Sequence, residues 1–443
     1  MPGTGLLVAI LAVLLGAATV AAEDCAVRYS NAGRKPLLFG GVLDRCIAGC
    51  APRTSQWAQI CAFKRESDPK MVCTVSAANR SLALVGTLGG GEALQLSPCD
   101  LVRYLRGRTL WLIGDSHARF FYRALQCFLL DFWNQQECQA TLDSQAEAQL
   151  ADMPAAPGGA YCFHLMGAAS GRVCMVHVVL GSSLVGNPQV AEGGVLPLLQ
   201  QTFAQPQDIF YINFGIWHKN MERYESTYLP ALEALARFYK ATKARFPHVV
   251  FGETPAQHQR DGSGQQCVAA AGFMPAGGST GSSTAGAAGS AAGSSAAKPA
   301  GIYPGSAAGS STANAAASGA TSGAASGAPP TAAAMAAEQA ASSYQQAWDL
   351  GIVVNKLANE VLPRAGIPVL PFFNITVPLH DSHASIPLFS GKLDCMHYCH
   401  PGAPQMWVWF LYDFLRSPQG VQPLPAQGSA NYSLPCRVMK SAA

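Results

Sequence analysis

A short apolar run that ends in a polar turn and continues as an amphipathic segment decides which class of fold this chain can adopt. Leu110–Ile113 predicts a buried strand, and Ala118–Leu130 has the apolar spacing of a helix. The turn Gly114-Asp115-Ser116 places a serine at the carboxyl end of that strand. Open α/β sheets bind ligands at this edge, where a helix N-terminus offers free N–H groups. Ser116 is therefore a candidate nucleophile, although Gly, Asp and Ser are also ordinary turn and capping residues.

Further apolar runs alternate with amphipathic segments along the chain. The other predicted strands are Val173–Leu180, Asp208–Phe214, His248–Glu253 and Pro368–Phe373. The other predicted helices are Leu101–Leu105, Tyr228–Phe246, Ala336–Leu362 and Trp407–Leu415. Cys138–Cys162 has no clear period, and we expect mostly loop there. Strands and helices that alternate at this spacing predict βαβ units, and hence an α/β fold with a parallel sheet.

Composition divides the 443 residues into segments. Residues 1–22 resemble a signal peptide, with a membrane anchor as the alternative. Residues 23–100 are rich in cysteine, and we expect a disulfide-stapled lead-in that wraps the main domain. Residues 276–334 lack the large apolar side chains of a core, which favours a disordered insert over a linker between two domains. The main domain then consists of residues 101–275 and 335–436.

The cysteines indicate an oxidising compartment. The chain has 14 of them, an even number without any CxxC pair, which favours disulfides. The alternative is a zinc site. Because we favour disulfides, we expect no bound metal. The zinc ligands would be Cys46 with Cys50, or Cys395 with Cys399, together with His397 or His400.

Charge and glycosylation motifs give further evidence on the binding partner and the cellular compartment. Charged residues make up 12% of the chain and the formal net charge is +3, with no Lys/Arg cluster that would indicate nucleic-acid binding. Sequons at Asn79, Asn374 and Asn431 fit export. We therefore expect a protein of the secretory pathway, either in the Golgi lumen or outside the cell.

A second polar stretch, far from Ser116 in sequence, supplies the partners that a nucleophilic serine needs. Asp394 and His397 are three residues apart, which puts both on one face of a helix-like turn. His397 is the candidate general base, and Asp394 the carboxylate that orients it. A capping or surface pair is the plain alternative for these two residues.

The residues around this pair resemble a known family. The string DCMHYCHPGAPQMW, which begins at Asp394, is similar to the C-terminal motif of the PC-esterase group, which includes the trichome birefringence-like polysaccharide O-acetyltransferases. Three further motifs of the group are met by Gly114-Asp115-Ser116 with Arg119, by Asn213, Gly215 and Trp217, and by Thr254 with His258. The resemblance implies an SGNH-like three-layer α/β/α fold and a Ser-His-Asp triad that transfers acyl groups.

The resemblance also implies roles for the residues that surround the triad. The backbone N–H of Ser116 and the side-chain amide of Asn213 would form the oxyanion hole, although Asn213 could equally be a strand-end turn residue. Trp217 and His218 would line an acceptor groove or pack in the core. Further candidate oxyanion or substrate residues are Gly215, Arg119 and His258. For Arg119, steadying the turn or pairing with a carboxylate are the alternatives.

Two cysteines flank the candidate base. A bridge between Cys395 and Cys399 would strain the turn that carries His397, so we expect each to bond a different segment. Cys267 is the first candidate partner for one of them. A cysteine from Cys46 to Cys73 is the candidate for the other.

Three functions are compatible with these patterns. The first is an O-acetyltransferase acting on a glycan or glycoprotein acceptor, which needs an acetyl donor but no bound cofactor. The second is a secreted carbohydrate acetylesterase with the same triad, and the third is a non-catalytic glycan-binding module. An intact triad favours an enzyme, and the first two functions differ only in whether a sugar or water reaches the acyl-enzyme.

Overall fold

The structure is a computed structural model. It describes residues 72–129, 133–140, 160–165, 171–188, 190–218, 224–269, 351–384, 393–424 and 436–438. The predicted signal or anchor at residues 1–22, the lead-in before residue 72 and the insert at residues 276–334 lie outside the described residues. All described residues belong to one compact unit, which comprises stretches on both sides of residues 272–336 in sequence.

The strands are short and fall into two sheets. They are β1 Thr109–Gly114, β2 Trp133–Ala140, β3 Ala160–Leu165, β4 Arg172–His177, β5 Ile209–Asn213, β6 Val249–Gly252, β7 Gln259–Arg260, β8 Cys267–Val268, β9 Val369–Leu370 and β10 Cys436–Val438. The main sheet has the order β10-β2-β3-β4-β1-β5-β6-β9, and β7 pairs with β8 separately. Strands β4, β1, β5, β6 and β9 run parallel, whereas β3, β2 and β10 extend the sheet by antiparallel pairing.

Eight α-helices accompany these strands within the described part of the chain. They are α1 Val75–Val85, α2 Pro98–Leu105, α3 Ser116–Phe128, α4 Val195–Thr202, α5 Tyr224–Thr242, α6 at residues 351–365, α7 Phe372–Thr376 and α8 Ala403–Arg416. Of the helices in the described ranges, none is long and apolar enough to span a membrane.

Helices cover both faces of the parallel strands, as buried parallel sheets require. On β1, Leu110 and Leu112 join a core cluster with α2, α3 and α8. The alternate residues Trp111 and Ile113 join a second cluster with α4, α5 and α6. Because both faces are buried, β1 is apolar throughout instead of alternating, which is the pattern that made it recognisable in the sequence. The α/β class predicted from the sequence is therefore observed.

Strand β1 lies inside the main sheet, and its carboxyl end is at the point where the strand order reverses. β1 pairs with β4 on one side and with β5 on the other, and the chain after β5 continues away from β4 through β6 and β9. The chain thus crosses from one side of β1 to the other between β4 and β5, and the order of the strands in the sheet reverses there. In open sheets, ligands bind outside the carboxyl ends of the strands at such a switch point.

Several sequence predictions need correction. Within Cys138–Cys162, where we expect mostly loop, residues 138–140 belong to β2 and residues 160–162 to β3, and residues 141–159 lie outside the described residues. Strand β2, with the sequence WNQQECQA, shows no apolar alternation, and its antiparallel pairing to β3 was not visible in the sequence. The strand predicted at Pro368–Phe373 is only Val369–Leu370, because Pro371 ends it and α7 follows.

Candidate active site

The turn that carries Ser116 is shaped by its two preceding residues. A side chain at Gly114 would meet the carbonyl oxygen of Asn213 at 2.2 Å, so only glycine allows β1 and β5 to approach this closely. Asp115 caps helix α3, and its carboxylate accepts the N–H of His117 at 2.9 Å. Burial raises the pKa of Asp115 to about 7, against the opposing effects of this hydrogen bond and the charge of His397. The capping alternative therefore applies to Asp115, while Ser116 is the first helical residue.

Ser116, His397 and Asp394 form a continuous hydrogen-bonded chain. The Oγ of Ser116 lies 2.7 Å from Nε2 of His397. Nδ1 of His397 lies 2.5 Å from Oδ2 of Asp394. Because the carboxylate only accepts, Nδ1 carries the hydrogen, which leaves Nε2 to accept the proton of the Ser116 hydroxyl. This is the geometry in which an imidazole can act as general base toward a serine.

The environment of Asp394 keeps it ionised. Burial alone would raise its pKa, but hydrogen bonds from the His397 ring and from the N–H groups of Met396 and His397, with the charge of His397, bring the pKa to about 2. Oδ1 accepts the two backbone N–H groups, and Oδ2 accepts the ring. The carboxylate is therefore available to orient and stabilise His397 across the physiological pH range.

Aromatic rings hold the His397 side chain from two directions. Phe120, one turn after Ser116 on α3, stacks on the His397 ring with centroids 5.0 Å apart. His117 contacts it edge-on at 5.6 Å and donates from Nε2 to the Met396 carbonyl at 3.0 Å. Burial and then the charge of His397 lower the pKa of His117 to about 3, so this second imidazole is neutral. The helix that begins at the candidate nucleophile thus also positions the candidate base.

Two disulfides fix the loop that carries Asp394 and His397. Cys395 is bonded to Cys267 and Cys399 to Cys73, which are the kinds of partner named from the sequence. Both cysteines of the zinc alternative at this loop are thereby occupied. Among the described residues, no group of three or more His, Cys, Asp or Glu side chains could hold a metal ion.

The oxyanion role expected for Asn213 does not fit. Its Nδ2 donates to the carbonyl oxygens of Gly252 and Glu253 at 2.9 and 3.2 Å, and the residue is buried. Both amide hydrogens are therefore engaged in tying β5 to the end of β6. The N–H of Ser116 stands at the start of α3, where the first N–H groups of a helix have no intrahelical acceptor, so it remains the candidate oxyanion donor.

The loop after β5 borders a groove at the same edge of the sheet. The groove has a volume of about 490 Å³, and Trp217 and His218 both line it, together with Leu180 and Ser182. Trp217 is 40% exposed, whereas His218 is buried and accepts the N–H of Gly181 at 3.3 Å. Burial lowers the pKa of His218 to about 4, so its ring is neutral. His218 therefore joins the loops that follow β4 and β5.

The remaining predicted residues lie around this edge in other roles. A side chain at Gly215 would meet Oγ1 of Thr254 at 2.3 Å, so glycine permits close contact between the loops after β5 and β6. Arg119 lies near His177, where burial and then the Arg119 charge lower the histidine pKa to about 4. His258 is buried, with Nε2 2.8 Å from the carbonyl oxygen of Val377.

Three residues of the site were not singled out from the sequence. His117 and Phe120 lie on the helix that begins at Ser116, and the signal that could have found them is their helical position beside the nucleophile. His383 contacts the backbone of His397, with Nδ1 3.1 Å from its carbonyl oxygen. It lies in a segment that follows α7 without any local motif, and only the fold brings it to the loop.

Comparison of the chain with protein-family models gives no match. Comparison with curated proteins also gives no match. The functional argument therefore depends on the geometry of the residues described above.

Proposed function

We propose that this protein is a secretory-pathway acyltransferase of the PC-esterase group, with an SGNH-like three-layer fold, which transfers an acetyl group to a glycan hydroxyl. The single observation that carries the proposal is the hydrogen-bonded chain from Asp394 through His397 to Ser116. His397 takes the proton of Ser116 as the hydroxyl oxygen attacks the acetyl carbonyl carbon of a donor. The N–H of Ser116 stabilises the negative charge that develops on the carbonyl oxygen.

The remaining steps release the donor's leaving group, transfer the acetyl group and return a proton to Ser116. Collapse of the tetrahedral intermediate releases the donor's leaving group, which takes the proton from His397, and leaves an acetyl ester on Ser116. A sugar hydroxyl then attacks this ester, with His397 as its base, and Ser116 recovers its hydrogen. The groove lined by the loops after β4 and β5 is suited to an acceptor, because the 40% exposed Trp217 offers a ring face on which a sugar can pack.

An acetylesterase is the second candidate, and one observation favours it. The His397 side chain is 18% exposed, so water has access to the base that would activate it. Hydrolysis and transfer share every step up to the acetyl ester on Ser116.

The test uses the full-length oxidised protein and its Ser116→Ala variant. A fluorophosphonate probe should label the wild-type protein at Ser116 and leave the variant unlabelled. An acetyl donor, supplied with and without candidate oligosaccharides, should give an acetylated glycan for a transferase and only free acetate for an esterase. A wild-type protein that is folded but neither reacts with the probe nor releases acetate would disprove the proposed function.

A further inference from the structure

Two buried histidines are hydrogen-bonded to each other and to the backbone of the candidate base. Nδ1 of His258 lies 2.7 Å from Nε2 of His383. At the outer ends, Nε2 of His258 lies 2.8 Å from the carbonyl oxygen of Val377, and Nδ1 of His383 lies 3.1 Å from that of His397. The three contacts form one chain that ends on the residue proposed to activate Ser116.

While both rings are neutral, the two imidazoles carry too few hydrogens to form all three hydrogen bonds. A carbonyl oxygen only accepts, so each outer nitrogen needs a hydrogen to bond its carbonyl, and the contact between the rings needs a third. Two neutral imidazoles carry only two such hydrogens. A neutral pair can therefore form only two of the three bonds. The bond to His397 and the bond between the rings form together when Nδ1 of His258 donates to Nε2 of His383, which leaves Nε2 of His258 without a hydrogen toward Val377.

We propose that His383 is a positioning residue that holds His397 through its backbone carbonyl, and that His258 orients His383 for this task. The inference rests on the proposed function, because it assigns the pair to the base of that reaction. The carbonyl of His397 also accepts the N–H of Ala384 at 2.9 Å, so the His383 ring is the second of two donors to one oxygen.

The contacts around His383 support a positioning role. His383 forms an antiparallel bridge with Tyr398, and the two rings stack with centroids 4.5 Å apart. The N–H of Cys399 donates to the carbonyl of Ser382 at 3.0 Å. The His383 ring is therefore fixed against the same short segment that carries His397, and its displacement would be transmitted to that residue.

The surroundings of the pair determine its charge. Burial lowers the pKa of His258 to about 4 and holds the pKa of His383 well below its usual range. The charged neighbours oppose one another, since Asp381 and Asp394 raise these pKa values whereas His380 and His397 lower them. The pair is thus neutral at neutral pH, and it gains the hydrogen for its third bond only in acid.

The test exploits the fact that Asn and Gln each reproduce one nitrogen of an imidazole. His383→Asn places its amide nitrogen near the position of Nδ1 and keeps a donor to the His397 carbonyl. His383→Gln places it near Nε2 and loses that donor while retaining the contact to His258. With p-nitrophenyl acetate as substrate, we expect kcat to stay close to the wild-type value in H383N and to fall about tenfold in H383Q, the equivalent of one hydrogen bond, with KM unchanged.

An equal loss of kcat in both variants, or no loss in either, would overturn the positioning role. If H383Q is not recovered folded, the matched pair is His258→Gln, which loses the donor to His383, and His258→Asn, which keeps it. Again only the Gln variant should lose kcat.

A second readout separates this inference from the proposed function. In protein labelled with ¹³C at histidine Cε1, the His397 resonance should move in H383Q and stay near its wild-type position in H383N. This measurement needs no enzymatic activity. A wild-type protein without activity would therefore refute the proposed function alone, and unchanged His397 resonances in both variants would refute the inference.

Discussion

Replacement of Asp394 by Asn tests the candidate triad through stability as well as activity. The amide keeps the size of the side chain but removes the charge that orients the imidazole. We expect kcat to fall by about 10⁴, because the neutral amide no longer selects the His397 tautomer in which Nε2 can accept the serine proton. The loss should appear in kcat, since Asp394 contacts His397 and lies behind it relative to Ser116.

The stability effect follows from the pKa of Asp394. The hydrogen bonds of its folded environment, which outweigh burial, lower this pKa from an ordinary 3.8 to about 2. The difference corresponds to about 2 kcal/mol of stabilisation of the charged carboxylate, at about 1.4 kcal/mol per pKa unit. A lowered carboxyl pKa stabilises the fold fully above pH 4, and this contribution is lost as the pH falls toward 2.

Urea unfolding between pH 4.5 and pH 2 measures this contribution. The wild-type protein should lose about 2 kcal/mol more stability over this interval than the D394N variant, which has no carboxyl group to protonate. Glu233→Gln removes a half-exposed carboxylate that pairs with Arg237 on α5, and this control should behave like the wild type. Parallel pH profiles for the wild type and D394N would refute the pairing of Asp394 with His397.

Two further predictions concern the disulfides and the low-complexity segment. Removing the Cys267–Cys395 bridge by Ser substitution at both positions should abolish acyl transfer and lower the free energy of unfolding by about 2–5 kcal/mol. The same change at the Cys162–Cys174 bridge, which joins β3 to β4, should leave the activity of the folded protein unchanged. Equal losses of activity in the two variants would count against a specific role for the Cys267–Cys395 bridge. Deletion of Ala276–Ala334 should leave folding and acyl transfer intact, because loop length contributes little to stability, and loss of activity in soluble, folded protein would contradict this.

The parts of the fold that sequence reasoning could predict are those in which local pattern and burial agree. Strands β1, β5 and β6 are short apolar runs whose residues are buried on both faces. Strand β2 could not be found in this way, because it is polar and one of its two partners, β10, is supplied by a distant segment. Helix α1 lies within the expected disulfide-stapled lead-in, and the cysteine pattern did not suggest it. Thr74 caps this helix, because its hydroxyl oxygen accepts the N–H of Ala77.

The residues of the candidate site also fall into those that the sequence could predict and those that it could not. Ser116, Asp394 and His397 could be named because each belongs to a short motif with a chemical reason for its spacing. The function of Asn213 could not be predicted, since its amide bonds two carbonyl groups that a neighbouring strand brings to it. His383 carries no motif at all, and its contact with the loop depends on the tertiary pairing of residues 382–384 with 397–399.

The separation of the nucleophile from its base along the chain has a consequence for biosynthesis. Ser116 and His397 are 281 residues apart, and the loop that carries the base is joined by disulfides to Cys73 and Cys267, both made earlier. During synthesis the serine turn therefore emerges long before anything can activate it. Under the proposed function, reactivity at Ser116 would arise only when the late segment has been made and oxidised onto the early ones, so the nascent or still-reduced chain would be a latent form of the enzyme.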